Sequence, residues 1–285
     1  MPDIRLGVLG FPIGHSLSPR IHAAAYAQLG LSWAYTAVAC REDGLVDFVA
    51  TTDWHGMSLT MPLKKAGFEL ADWRDPVAEA SRVVNTLVRS GPAGQPDPEP
   101  SWCGYNTDVA GLVGAIREAE GGLIEHITVL GAGATSVSVI LAAAQLGTTS
   151  LSVRARDLTQ ITPLVELGAR QGLRVEPVEL SSETWNNDTS LVISTIPGHN
   201  TGEILVPREL RSRVPLYDVA YDPWPSPLAV AWRAANGRAH SGVTMLLHQA
   251  LMQVRIFTTG SAMQPVAHEA EVLSAMRAAL PAHTL

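Results

Sequence analysis

The segment Ile127-Thr128-Val129-Leu130-Gly131-Ala132-Gly133-Ala134-Thr135-Ser136 carries the architecture: an apolar run empties into a glycine turn and then into a stretch able to form a helix. Glycine at 131 permits the tight turn, and glycine at 133 lets a pyrophosphate approach the backbone. The small Ser136 stands where the third position of G-x-G-x-x-G/A demands close packing of helix on strand. The third glycine of that pattern is missing, so a plain strand-turn-helix of a parallel sheet is the competing reading. The next expected strand runs from Leu151 to Arg156 and brings Arg154 and Arg156 to 23 and 25 residues after Gly131, where an acidic residue usually takes the ribose 2′-hydroxyl of NAD. Arginine there suits a 2′-phosphate and favours NADP; Asp157, directly after, keeps NAD open, and a solvated arginine is the ordinary alternative.

A chain of 285 residues has room for two domains with separate cores, and 46% hydrophobic against 16% charged residues is the composition of a folded globular protein. The net charge of −7 leaves no electrostatic footprint for nucleic acid or an anionic membrane, so an anionic ligand must be met by local basic groups. Cys40 and Cys103 make no disulfide framework and match no zinc spacing, and the start resembles no signal peptide. The expectation is a cytoplasmic protein with reduced thiols and no metal. Residues 127 to 153 carry no charge, which is a length that could cross a membrane. Gly131, Gly133 and Gly147 together with interspersed Ser and Thr divide that run into a strand, a helix from Ser136 to Leu146, a turn and a second buried strand.

From the start, a strand at Ile4 to Gly10 leads to His15-Ser16-Leu17-Ser18-Pro19, where Ser18 reads as an N-cap and Pro19 as the first residue of a helix closed by Gly30. Beside two hydroxyls, that helix start is also suited to a carboxylate or phosphate. A strand from Trp33 to Ala39, a helix over Leu45 to Ala50 and a strand at Gly56 to Thr60 imply a parallel sheet. The last of these exits through Thr60-Met61-Pro62-Leu63-Lys64-Lys65, placing a threonine and two lysines where such sheets form ligand crevices; Lys65 reads as solvated. A helix over Pro76 to Arg82 precedes Val83 to Arg89, and the proline-rich stretch Ser90 to Ser101 reads as the loop of an exposed hairpin without chemistry. Asn106-Thr107-Asp108 then starts a helix, with Asp108 either its N-cap or a carboxylate held ionised by the helix end. Further strands are expected near Leu173, ending at Ser194-Thr195, and over Leu216 to Tyr221, with Ser226-Pro227 opening a helix. In the last long helix Met245 and Gln249 share a face, and a polar Gln on an apolar face needs a partner, either a backbone group or a ligand hydroxyl.

Taken in order, His15-Ser16-Leu17-Ser18-Pro19, Thr60-Met61-Pro62-Leu63-Lys64, Val84-Asn85-Thr86, Asn106-Thr107-Asp108, Gly131-Ala132-Gly133 and Gly242…Met245…Gln249 resemble the shikimate dehydrogenases over nearly the whole chain. The resemblance implies an α/β protein of two domains: residues 1–108 plus 241–285 for the substrate, with a mainly parallel sheet, and a Rossmann-type domain over 109–240 for NADP, with the active-site cleft between them. It assigns catalysis to Lys64 and Asp108. It gives the substrate carboxylate to Ser16 and Ser18, the ring hydroxyls or carboxylate end to Thr60, Asn85 and Gln249, and a cleft-lining role to Tyr221. The cofactor would meet Gly131, Ala132, Gly133, Ala134, Thr135, Arg154, Arg156, Thr195 and Val219, with Gly242 and Met245 at the nicotinamide. The implied activity is NADPH-dependent reduction of 3-dehydroshikimate to shikimate by a monomer or homodimer acting on small molecules, without nucleic acid or membrane partners. An NAD-dependent quinate/shikimate dehydrogenase using Asp157, and a non-catalytic NADP-binding regulator on the same fold, are the alternatives. The chain departs from the family pattern at Ser58, where many members have Asn; at Arg82, where Gly is common; at Ala155-Arg156-Asp157, where the 2′-phosphate clamp is Asn-Arg-Thr; and at Ser241, where an aspartate often stands.

Overall fold

A computed structural model describes residues 4–91, 101–197 and 204–284. Most of the proline-rich stretch, residues 92–100, lies outside them. The chain divides into two compact units, Met1–Gly111 with Leu246–Leu280 and Leu112–Met245 with Pro281–Leu285.

The first unit opens with β1 (Arg5–Gly10), α1 (Ser18–Gln28), β2 (Ala34–Ala39), α2 (Leu45–Thr51), β3 (Gly56–Leu59) and α3 (Lys64–Leu70). It continues with β4 (Trp73–Arg74), α4 (Pro76–Ser81), β5 (Thr86–Arg89), β6 (Trp102–Tyr105) and the start of α5 (Asp108–Glu120). Its sheet has the order β2-β1-β3-β5-β6-β4. Strands β1, β2 and β3 are parallel, and β5 runs antiparallel to both β3 and β6. That single reversal matters for function. The carboxyl ends of β1, β3 and β6 and the amino end of β5 all emerge on one edge, so the segments at 11–18, 60–64, 85 and 106–108 come out side by side. Beneath that edge lies an apolar core that includes Leu9, Met57, Leu59, Leu63, Phe68 and Leu87.

The second unit contains most of α5, then β7 (His126–Leu130), α6 (Ala134–Gln145), β8 (Ser150–Ala155), α7 (Thr162–Arg170) and β9 (Arg174–Glu179). After these come β10 (Leu191–Ser194), α8 (Arg208–Arg213), β11 (Leu216–Asp218), α9 (Pro227–Arg233) and β12 (Ala239–Ser241). All its strands are parallel, in the order β12-β11-β10-β7-β8-β9. The chain therefore winds outward both ways from β7 and β10, and the glycine turn after β7 lies at that reversal, where doubly wound sheets hold nucleotides. The last helices are α10 (Val243–Thr259) and α11 (Glu269–Ala278). Among the described residues no helix is long and apolar enough to cross a membrane, because the charge-free run at 127–153 is cut by Gly131 and Gly147, both at positive φ.

Local signals account for most element ends. Ser226 accepts from the Ala229 N–H and caps α9, with Pro227 first in the helix as expected. The cap assignment of Ser18 needs correcting, and of the two readings of Asp108 the cap falls away. Ser18 lies inside α1 and makes no cap; its own N–H donates to Ser16 Oγ at 3.3 Å, so Ser16 plays the tying role. Asp108 is not the acceptor at the start of α5, because Asn106 Oδ1 takes the Asp108 N–H at 3.0 Å. Arg82 closes α4 at φ 58° and ψ 29°, a left-handed position that glycine fills more easily, which gives a physical reason for a glycine there in related sequences.

Candidate active site

Lys64 begins α3, directly after the fully buried Leu63. Burial of Leu63 and Phe68 holds this short helix down, and the Lys64 carbonyl accepts from the Val84 N–H at 2.9 Å, which ties it to the segment carrying Asn85. The ammonium can therefore reach only a small region. There Lys64 Nζ donates to Asp108 Oδ2 at 2.6 Å, with the lysine side chain 23% exposed and the aspartate 6%. With Asn106 taking the backbone N–H, both carboxylate oxygens are left for side chains. The second, Oδ1, accepts from Asn85 Nδ2 at 2.8 Å. That same amide nitrogen lies 3.1 Å from Gln249 Oε1 on α10, so the partner that Gln249 needed is a side chain of the site itself. Asn85 Oδ1 in turn accepts from the Thr107 N–H at 2.9 Å, which fixes which way round the amide sits.

Lys64, Asp108, Asn85 and Gln249 are thus joined by hydrogen bonds in one unit. Ser16, Ser18 and Thr60 emerge on the same edge of the same sheet. Thr60 is half-buried with its backbone N–H on Leu9, and Lys65 is exposed. A sheet edge with a paired ammonium, two amides and two or three hydroxyls has the groups to bind a polyhydroxylated carboxylic acid and deliver a proton to it. Sequence reasoning missed Thr86 and Gln253, which stand behind this group. The signal was available: Gln253 follows Gln249 at the i, i+4 spacing on α10.

In the second unit, β7 passes into Gly131 at φ +105°, where an added Cβ would lie 2.5 Å from Thr195 Oγ1. Ser136 Oγ donates to the Gly131 carbonyl and Thr195 Oγ1 to the Leu130 carbonyl, both at 2.9 Å, and the two hydroxyl oxygens lie 2.9 Å apart. The turn is therefore braced from inside by the residue in the missing-glycine position and by Thr195, whose hydroxyl faces the turn and not outward. Gly133, Ala134 and Thr135 open a 12-residue helix with no side-chain cap, and Gly133 and Ala134 are exposed. Such an end presents backbone N–H groups and the positive pole of the helix dipole, which is what a pyrophosphate requires. Ala132 is half-buried in the turn. Val219 and Tyr221 follow β11, and burial raises the Tyr221 phenol above its ordinary pKa. Gly242 admits no side chain, since a Cβ would lie 2.0 Å from the Val219 carbonyl oxygen, and the Met245 N–H donates to Tyr217 Oη at 3.0 Å.

The two arginines separate. Arg154 does not present a free guanidinium: it is 1% exposed, donates to the Thr184 carbonyl at 2.9 Å and to the Ser182 carbonyl, and lies 4.2 Å over the Trp185 ring. Its expected place at a 2′-phosphate is corrected to a structural one beside a cavity of about 590 Å³ lined also by Ser152 and Trp185. Arg156, past the strand end, is exposed. Asp157 is occupied, with Oδ1 accepting from the Thr159 N–H at 2.9 Å and from Thr159 Oγ1 at 2.6 Å, bonds that hold its carboxyl below the usual range.

Comparison with known proteins fits this geometry. The family model described as shikimate dehydrogenase substrate binding domain matches residues 8–87, the stretch holding Ser16, Ser18, Thr60, Lys64 and Asn85. A curated relative from Dehalococcoides mccartyi, named shikimate dehydrogenase (NADP(+)), is 30% identical over 92% of this chain and 93% of its own length. The chain belongs to the shikimate dehydrogenase family. Among solved structures, the Mycobacterium tuberculosis shikimate dehydrogenase is 36% identical with a TM-score of 0.82, covering 98% of this chain and all of the other. The Thermus thermophilus shikimate 5-dehydrogenase, solved with NADP(H) and shikimate, is 28% identical with a TM-score of 0.78 over 97% of this chain. The two-unit α/β fold is that of these enzymes.

Proposed function

We propose that this member of the shikimate dehydrogenase family catalyses the reversible, NADPH-dependent reduction of 3-dehydroshikimate to shikimate, with Lys64 and Asp108 as its acid/base pair. The observation that carries the reading is the 2.6 Å contact between Lys64 Nζ and Asp108 Oδ2 at the ligand-bearing edge of the first sheet. Ser16 and Ser18 hold the substrate carboxylate, and Thr60, Asn85 and Gln249 take its hydroxyls. As the C3 carbonyl is reduced, negative charge grows on its oxygen; Lys64 stabilises that charge and gives it a proton, and the reverse reaction returns the proton to the amine. Asp108 keeps the ammonium aimed, because its other oxygen is fixed by Asn85.

The residues present fit NADP. The bare amino end of α6 and the glycine turn would hold the pyrophosphate, Arg156 the 2′-phosphate, and Gly242 and Met245 the nicotinamide side, with Tyr221 toward the substrate. Once bound, the reduced nicotinamide supplies the hydride. Domains of 1–108 plus 241–285 and of 109–240 divide these tasks, in a cytoplasmic monomer or homodimer. The engaged Asp157 carboxylate does not favour the NAD alternative, and a preassembled Lys64–Asp108 pair does not favour an idle regulator.

Mixing the protein with shikimate and either NADP or NAD, and following reduced nicotinamide, tests the reading. Turnover with NADP at a kcat/KM at least tenfold above that with NAD is expected; turnover with NAD alone, or with neither, would reject it.

A further inference from the structure

One turn below the site lies a second row of polar groups that no step above uses, all within the first unit. His22 is fully buried on α1, four residues after Ser18; Gln253 is 2% exposed on α10, four residues after Gln249; Thr86 is fully buried, next to Asn85. His22 and Gln253 therefore each sit one helical turn behind a residue of the site on the same helix, and Thr86 opens β5 directly after Asn85. They are linked in a line. His22 Nε2 lies 3.2 Å from Gln253 Oε1, Gln253 Nε2 donates to Thr86 Oγ1 at 3.1 Å, and Thr86 Oγ1 donates to Asn85 Oδ1 at 2.8 Å. Behind His22, Nδ1 lies 3.1 Å from Tyr26 Oη.

The chemistry of the groups fixes the direction of every link. Asn85 Oδ1 can only accept, so Thr86 must donate to it and has its lone pairs left for Gln253 Nε2. Gln253 Oε1 then faces His22, which must carry its proton on Nε2 and accept from Tyr26 at Nδ1. Burial supports this, since it pushes the imidazole down to about 3 and keeps the ring neutral across the working range. The ring is further held by stacking on Tyr35 at 3.9 Å, and Tyr35 Oη donates to Ser58 Oγ at 2.7 Å, which gives the unusual Ser58 a place in the arrangement. The donors thus point one way, from Tyr26 through His22, Gln253, Thr86 and Asn85 to Asp108, and aligned bonds in a buried setting reinforce one another.

We propose that Thr86, Gln253 and His22 are positioning residues: their hydrogen-bonded line locks the turns of α1 and α10 that carry Ser18 and Gln249 to Asn85, and through Asn85 to the carboxylate that aims Lys64. The proposal rests on the assignment of Lys64 and Asp108 to catalysis. It differs from a simple core role because a loss anywhere along the line must appear at the substrate and not at the cofactor.

Steady-state kinetics on the full chain with shikimate and NADP test it, with thermal unfolding to show that each variant is folded. Thr86→Val and Gln253→Leu are each expected to lower kcat/KM for shikimate about tenfold and to leave KM for NADP within twofold. Thr86→Ser, which restores the hydroxyl, is expected to keep wild-type kinetics. The double variant is expected to be no worse than the poorer single one, since the line is already broken. Folded single variants within twofold of wild type, losses that multiply in the double variant, or an equal rise in the KM for NADP would overturn the proposal. Should Gln253→Leu not fold, the Val and Ser variants at position 86 decide the matter on kcat/KM and KM alone. Lys64→Ala in the same assay separates the two readings: if it stays active, the acid/base assignment fails, whatever the relay variants do.

Discussion

The corner around Lys64 and the turn after β7 are built from opposite materials. In the corner, side chains hold one another: an ammonium, a carboxylate and two amides are joined by hydrogen bonds. In the turn, side chains such as Ser136 and Thr195 face inward, and what faces outward is backbone at a helix start. The difference teaches where substitutions will bite. A change of side chain in the corner removes chemistry but leaves a nucleotide's seat alone, whereas a change that adds bulk to the turn removes the seat and leaves the chemistry alone.

Asp108→Asn gives the largest effect short of removing Lys64 itself. It keeps the size of the side chain but removes the charge that aims Lys64 and turns one of two acceptors, each facing a donor, into a donor; kcat should fall about 10²-fold, within the range for loss of a proton-transfer group, with NADPH binding by nicotinamide fluorescence unchanged within twofold. A parallel loss of NADPH affinity would break the contrast between the regions. Gly131→Ala is its mirror image. The added methyl meets Thr195 Oγ1 at 2.5 Å at a φ of +105°, so KM for NADP should rise more than tenfold, while Lys64 and Asp108 are untouched and kcat at saturating NADP stays within threefold.

The arginine pair sharpens the same line inside the second unit. Arg156→Ala should raise KM for NADPH at least ~10-fold, as expected for losing a charge-assisted contact worth about 1.5–3 kcal/mol, without change in melting temperature. Arg154→Ala should do the reverse, leaving KM alone while losing about 2 kcal/mol of stability, because two carbonyls lose their buried donor. Equal effects on KM from both would restore the two-arginine clamp.

The last effect concerns pH. His22 is neutral when folded down to about pH 3, whereas its unfolded form takes up a proton near 6.5. The unfolded state then binds more protons below 6.5, so stability is full above that pH and falls as pH drops toward 3. At ~1.4 kcal/mol per unit, the protein should be ~2 kcal/mol less stable at pH 5 than at pH 7 from this residue alone. Urea unfolding at both pH values should show that part of the loss missing in His22→Gln, with the remaining histidines common to both.

What the sequence revealed follows the same division. Turns, caps and strands with local causes were legible: the glycine turn of β7, Ser226 with Pro227, and the exit of β3 into Lys64. The residues of the corner were legible as an ordered set of motifs, since Lys64, Asn85 and Asp108 stand at element ends and Gln249 is a polar residue on an apolar face of α10. Arg154 was misread because its direction is set by the carbonyls of Ser182 and Thr184, in a segment without periodicity that no spacing rule brings under β8. Ser18 was misread as a cap, and the cap reading of Asp108 stayed open beside the ionised carboxylate, because composition marks a good acceptor but not which of two neighbours, Asn106 or Asp108, Ser16 or Ser18, turns back to the helix. The line through Thr86, Gln253 and His22 depends on partners up to 231 residues apart, which only the fold brings together.

A single-turnover experiment reaches the central claim most directly: excess protein, NADPH and 3-dehydroshikimate, with the loss of reduced nicotinamide followed in wild type and Lys64→Ala. The account expects the mutant to bind NADPH with unchanged affinity and to react ~10³-fold more slowly, as befits removal of the proton donor. A mutant that reacts within threefold of wild type, or one that has lost NADPH, would contradict it.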